Sequence, residues 1–144
     1  MRDLALTQAA RAARNAASIA RADEGPAPST IRLYDAQGGT PLAVRALAKP
    51  CGAVRESDGR IQLAAASANT DVVLATGVAT WGEWIAGDGV VLAAGQVTDA
   101  EGNASDGMGA LVPTGDIGPW VLAGTSGTQL YEGGLVLLQS GLIG

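Results

Sequence analysis

Between Leu4 and Ala22 the chain carries nine Ala and no Gly or Pro, and this texture stops at Gly25-Pro26. Ala is the best helix former, and Gly followed by Pro ends a helix, so one helix is expected over Leu4–Ala22. Asp3 is its expected N-cap. Leu6, Ala9, Ala13, Ala16 and Ala20 recur at steps of 3, 4, 3 and 4, the a/d seam of a coiled coil. Ile19 flanks that seam, and Arg11, Arg14 and Arg21 fall outside it. Each seam methyl contributes under ~1 kcal/mol on burial, and a lone helix of this length is marginal in water. It needs a partner: its own domain, its copies around a symmetry axis, or a neighbouring protein.

Gly25–Thr30 reads as a short Pro-rich linker, and short segments bounded by Gly follow it. Ile31–Tyr34 alternates as a strand, and Asp35–Gly39 is rich in turn residues. Leu42, Val44 and Ala46 form one face of a second strand ending at Pro50, and Ile61, Leu63 and Ala65 suggest a third. Val72–Leu74 reads as a short strand or a loop. Val78–Ile85 and Val90–Val97 flank Gly87-Asp88-Gly89 as a hairpin. Trp120–Leu122, Thr128–Tyr131 and Leu135–Gln139 complete the set. The expected fold is mainly β: an antiparallel β-sandwich, jelly-roll or immunoglobulin-like, of seven to nine short strands over 31–144. An N-terminal helix at 1–24 and a linker at 25–30 precede it.

Composition narrows the function. The 144 residues include 28 Ala and 21 Gly but no Phe and no His, so neither an imidazole base nor a His metal ligand is available. A single cysteine, Cys51, allows no internal disulfide and no Cys-based zinc site. Charge is divided unequally. All nine cations lie at or before Arg60 beside six acids, a net of +3, whereas eight acids and no Lys or Arg follow, a net of −8. An acidic, Lys-free body suits neither nucleic acid nor an anionic membrane. It does suit packing of a basic end against an acidic body in a repeated assembly. No apolar run approaches the ~20 residues of a spanning helix, and no apolar core follows Arg2 and Asp3 as a secretory signal requires.

Each motif carries a plain reading beside its chemical one. Asp99, Glu101, Asn103, Ser105 and Asp106 place oxygen ligands as a calcium loop does. That loop needs Gly where Ala104 stands and Glu where Ala110 stands, so a solvated hairpin loop fits better. Glu83 between Trp81 and Trp84 evokes a glycosidase, but five aromatics in so short a chain hardly build the required cleft. No GxxxxGK[ST] occurs. Cys51 has no base partner and reads as a strand-edge residue rather than a nucleophile. No enzyme activity, cofactor or metal is expected. Trp81, Trp120, Asp99, Glu101 and Asn103 are the expected interface or ligand contacts, and the Ala seam is the expected anchor.

The order of segments carries a resemblance. An Ala-rich helix leads to Ser29-Thr-Ile-Arg-Leu-Tyr-Asp35 and Gly38-Gly-Thr-Pro-Leu-Ala43. Ala79-Thr-Trp81, Asp88-Gly-Val-Val-Leu92 and Gly124-Thr-Ser-Gly127 follow, before two closing strands. This resembles small structural proteins of tailed bacteriophage virions, over about two-thirds of the chain. Asp99–Pro119 runs longer than that group's pattern and reads as a contact loop. Val97-Thr-Asp-Ala-Glu-Gly-Asn103 is similar, more weakly, to immunoglobulin-like adhesin modules. The resemblance implies a multi-copy virion component assembled in the bacterial cytoplasm, a homo-oligomer with a trimer favoured, that contacts other virion proteins. A tail-tip or fibre-associated role leads. A capsid decoration protein, and an adhesion-type module for a host-surface carbohydrate or protein, are the alternatives.

Overall fold

The computed structural model describes residues 7–66, 72–135, 138, 142 and 143. Among these described residues one helix, α1, spans Gln8–Ala22. Thr7, rather than Asp3, is the N-cap: its Oγ1 accepts the Ala10 N–H at 3.1 Å, which satisfies one of the orphan donors of the first turn. Leu6 and Asp3 lie outside the described residues. At the other end the Asp23 N–H still donates to the Ile19 carbonyl, and Gly25 takes the left-handed backbone that ends the helix.

Eleven strands follow among the described residues. They are β1 (Thr30–Tyr34), β2 (Pro41–Val54), β3 (Ile61–Ala65), β4 (Gly77–Val78), β5 (Trp81–Ile85), β6 (Val91–Asp99), β7 (Asn103–Ser105), β8 (Leu111–Pro113), β9 (Trp120–Leu122), β10 (Gln129–Leu130) and β11 (Leu142–Ile143). Seven form one curled sheet in the order β11-β3-β2-β1-β5-β6-β9, while β10 with β4 and β7 with β8 make two separate ribbons. The protein is therefore mainly β with one N-terminal helix.

The sheet is mixed, not antiparallel throughout. β9 runs parallel to β6, with Val97 opposite Trp120 and Asp99 opposite Leu122. A parallel neighbour requires a long crossover, and residues 100–119 supply it with the β7–β8 hairpin inside. That hairpin occupies the stretch expected to be a loop. Val78–Ile85, expected as one strand, is divided into β4 and β5. β2 runs past Pro50 as one strand of 14 residues, pairing first with β1 and then with β3. Its register slips between Leu47 and Gly52, where five steps along β2 face two along β3. The slip breaks simple alternation, so Leu42, Ala43, Leu47 and Cys51 are the buried side chains rather than a Leu42–Val44–Ala46 face.

Gly25–Thr30 is no free linker. Ser29 is fully buried and its carbonyl accepts the Leu47 N–H, while the Gly87 N–H donates to the Ala22 carbonyl. α1 and the sheet share one core.

That core joins Ile31, Leu33, Leu42, Leu47, Ile61, Trp84, Val97, Trp120 and Leu122. Two glycines shape it. Gly82 on β5 stands directly opposite Gly95 on β6, so both present bare backbone on one face. Pro119 and Trp120 lie on this shelf. A Cβ at Gly82 would sit 2.4 Å from the Trp120 ring, and one at Gly95 would sit 2.4 Å from Pro119 Cγ. Trp120 Nε1 then donates to the Gly82 carbonyl at 2.8 Å, satisfying the buried indole. Gly82→Ala is expected to cost about 1–3 kcal/mol by overpacking, and Trp120→Ala about 3–5 kcal/mol by leaving a cavity. Denaturant unfolding measures both, and a Trp120→Ala chain as stable as wild type would contradict the shelf.

Candidate functional site

The surfaces that α1 offers follow from how it docks. The stripe against the sheet is Ala12, Asn15, Ile19 and Ala22, with Asn15 and Ala22 buried. Asn15 is tolerated because its Nδ2 donates to the Gly59 carbonyl at 2.7 Å. Arg11 Nη1 reaches the Asp58 carbonyl at 3.0 Å, and Gln8 Nε2 reaches that of Glu56. The receiving turn between β2 and β3 is held by the Arg55–Asp58 ion pair and the Arg60 N–H on Asp58 Oδ1. Gly59 has φ +72°, and a Cβ there would stand 2.9 Å from the Gln8 carbonyl oxygen, so Gly allows the close approach.

This docking leaves Ala9, Ala13, Ala16 and Ala20 exposed. Ala13, Ala16 and Ala20 each lie one residue beyond a member of the docked stripe, about 100° round the helix from it, and Ala9 continues their line one turn earlier. The opposite flank carries Arg14, Ala17, Ser18 and Arg21. These four, with Trp84, Leu92 and Ala93, line a cleft of about 400 Å³ between α1 and the β5–β6 hairpin. Arg21 pairs with Asp88 at 2.9 Å and with Glu24 at 3.4 Å across the mouth. Trp84 is buried, and its Nε1 meets no acceptor among the described residues.

Two of the expected contact residues lie in the interior. Trp120 is on the glycine shelf. Asp99 is 2 % exposed: its Oδ1 accepts the N–H groups of Glu101 and Asn103, each at 2.9 Å, and its Oδ2 accepts that of Gly127 at 2.7 Å. A carboxylate committed to three N–H donors is oriented for backbone rather than for a cation, which corrects its expected role as a surface contact. Beside it Thr98 Oγ1 accepts the Gly118 N–H, and Ser105 Oγ accepts those of Thr128 and Gln129. Glu101 is exposed, and Asn103 and Trp81 are half-buried.

The exposed apolar surface is elsewhere. Met108 is 91 % exposed, and Leu111, Val112 and Ile117 are all exposed, on or beside the β7–β8 hairpin. Asp106 caps its tip, with Oδ1 accepting the Met108 and Ala110 N–H groups at 2.7 and 3.1 Å. Cys51 is buried inside β2, not at a strand edge. Burial pushes its thiol up to about 11, against the lowering effect of Ser29 and with a smaller upward push from Asp23. No family model, curated protein or solved structure matches the chain.

Two outcomes follow. Burial tends to raise the Asp99 carboxyl, but the Gly127, Asn103 and Glu101 N–H groups outweigh it and hold it below its ordinary 3.8. A depressed folded value gives stability that is complete above the unfolded value and is lost as pH falls through the folded one. Asp58 and Asp88, also lowered by their Arg partners and backbone N–H groups, act with the same sign. Asp99→Asn is expected to cost about 1–3 kcal/mol near neutral pH by setting a donor against the converging N–H groups. Its deficit should narrow as pH falls through the lowered folded value of the Asp99 carboxyl, as read by urea unfolding at neutral and at acidic pH. Separately, Cys51 should react with a thiol reagent only after unfolding; fast labelling of the folded chain would refute its burial.

Proposed function

We propose that this chain is a non-enzymatic structural component of a tailed-bacteriophage virion, present in several copies, with a tail-tip or fibre-associated position favoured. The observation that carries the reading is the Ala stripe of α1. The helix is already held to its own sheet through Asn15, Ile19 and Ala22, yet it presents Ala9, Ala13, Ala16 and Ala20 outward. Small side chains let a second backbone approach closely, so the exposed stripe fits a partner helix as an anchor. The exposed apolar hairpin around Met108 supports the same reading, because contiguous exposed apolar surface marks interaction sites. The segment order shared with small phage structural proteins supplies the biological setting. Within that setting the curled sheet and its two ribbons are read as a variant of the small β-sandwich.

Particles assembled in the bacterium test this. Exposed Ala13→Glu and Ala16→Glu leave the docked stripe intact, so stability should stay within about 0.5 kcal/mol of wild type. The chain should nonetheless disappear from purified particles, as quantified by mass spectrometry. Undiminished incorporation of both variants would refute anchoring through the stripe. Density for the chain at the tail would favour the leading position, and density on the capsid surface would favour decoration.

A further inference from the structure

We propose that the outer face of the sheet, built on Tyr34 and Trp81 and flanked by Arg32, Glu83 and Gln96, binds a neutral sugar chain. The site goes beyond the virion reading and does not rest on it, because it is argued from the sheet alone, on the face turned away from α1.

Pairing register places these side chains together. On β5, Gly82 lies under the Trp120 ring, and Trp84 belongs to the core and lines the cleft beside α1. By alternation Trp81 and Glu83 therefore face the other way. Trp81 stands directly opposite Tyr34 on β1 and Gln96 on β6. Two residues along, Glu83 stands opposite Arg32 and Ala94. Tyr34–Trp81–Gln96 and Arg32–Glu83–Ala94 are thus adjacent rows across the same strands. Strand spacing and rise make this a surface of roughly 10 Å by 7 Å, enough to seat a sugar ring. Arg32, Ala94 and Gln96 are exposed, and Tyr34, Trp81 and Glu83 are half-buried, so the rings are seated yet open to solvent.

This chemistry suits a ligand with apolar faces and hydroxylated edges. Neighbouring aromatic rings present electron-rich faces, which attract the C–H-bearing face of a pyranose. Beside them stand a guanidinium with a fork of donors, a carboxylate with acceptor lone pairs and an amide with both. Adjacent sugar hydroxyls, each a donor and an acceptor, match that set. Burial, then the Glu83 carboxylate, pushes the Tyr34 hydroxyl above its ordinary 10 against a smaller lowering by Arg32, so Tyr34 keeps its proton as a further donor. Arg32 and Glu83 offset one another across their row. The face therefore has no net charge to recruit an acidic polysaccharide, and a neutral glycan is the complementary occupant. Trp81 has no internal hydrogen bond: its Nε1 meets no acceptor among the described residues, whereas that of Trp120 donates to the Gly82 carbonyl. An internal polar contact thus does not account for an indole on this open face.

Isothermal titration of the purified full chain tests the site with maltohexaose, cellohexaose and the N-acetylglucosamine hexamer as neutral probes, and polygalacturonate as an acidic one. At least one neutral hexamer should bind, with an affinity little changed by salt. Trp81→Ala should lower that affinity at least about tenfold, and Trp81→Phe, which restores a ring, should recover most of it. Arg32→Ala and Gln96→Ala, both at exposed positions, should each weaken binding about threefold to tenfold. Unchanged thermal midpoints in those two variants would separate a lost contact from a lost fold. Failure of all three neutral probes to bind, or binding undiminished by Trp81→Ala, would overturn the proposal. Salt-sensitive binding of polygalacturonate alone would overturn it as well. So would sedimentation in which Trp81→Ala abolishes self-association and no neutral probe binds, which would make the face a contact between copies.

Discussion

Where β6 ends, the chain leaves the sheet for twenty residues and then returns beside the same strand, and the Asp99 carboxylate holds the two events together. Its Oδ1 turns the departing backbone through the N–H groups of Glu101 and Asn103. Its Oδ2 takes the Gly127 N–H from the segment that follows β9. Thr98, next in the strand, receives Gly118 on the way back. Without this buried acceptor the crossover would have several inward-facing donors and no partner for them. The parallel placement of β9, the seating of Trp120 and the projection of the β7–β8 hairpin all depend on it.

Trp120 completes the closure from the apolar side. The Trp120 indole is, with that of Trp84, the largest side chain in a core built mostly from Ala, Val, Leu and Ile, and it fits because Gly82 and Gly95 face one another without side chains. Polar satisfaction at Asp99 and close packing at the glycine shelf act on neighbouring positions of the same crossover. One consequence is that the hairpin inside the crossover can be apolar and exposed without loosening the sheet, since its base is fixed at Asp99, Ser105 and Thr128.

The helix shows how far residue patterns reach. Its existence and its end at Gly25 were legible, because Ala content and Gly-Pro are local signals. Its docking face was not. Two stripes with alternating steps of 3 and 4 run along α1, and the all-Ala one looks the more apolar. The sheet instead takes the stripe containing Asn15, because the β2–β3 turn presents the Gly59 carbonyl where that amide can donate. Trp120 and Asp99 were misplaced for a related reason. Aromatic and acidic residues between glycines look like surface contacts until their partners, Gly82 and Gly127, are brought close from distant positions. The signal that could have found the shelf was present in Trp81-Gly-Glu and Ala94-Gly-Gln, a glycine in each of two strands joined by a tight hairpin. Only the pairing register shows that these glycines coincide.

Local chemistry thus determined the pieces: one Ala-rich helix, short strands punctuated by Gly, the Gly87-Asp88-Gly89 hairpin, and the confinement of every basic residue to positions up to Arg60. These follow from backbone preferences and counting, which need no knowledge of distant residues. Tertiary structure alone decided that β9 lies parallel to β6, which helix stripe is buried, and that Asp99 and Trp120 are internal while Met108 stands out. Those outcomes depend on which donor meets which acceptor, and which side chain meets a bare glycine, across tens of residues. The same folding left a cleft beside α1 floored by Trp84, Leu92 and Ala93, and an exposed apolar hairpin around Met108.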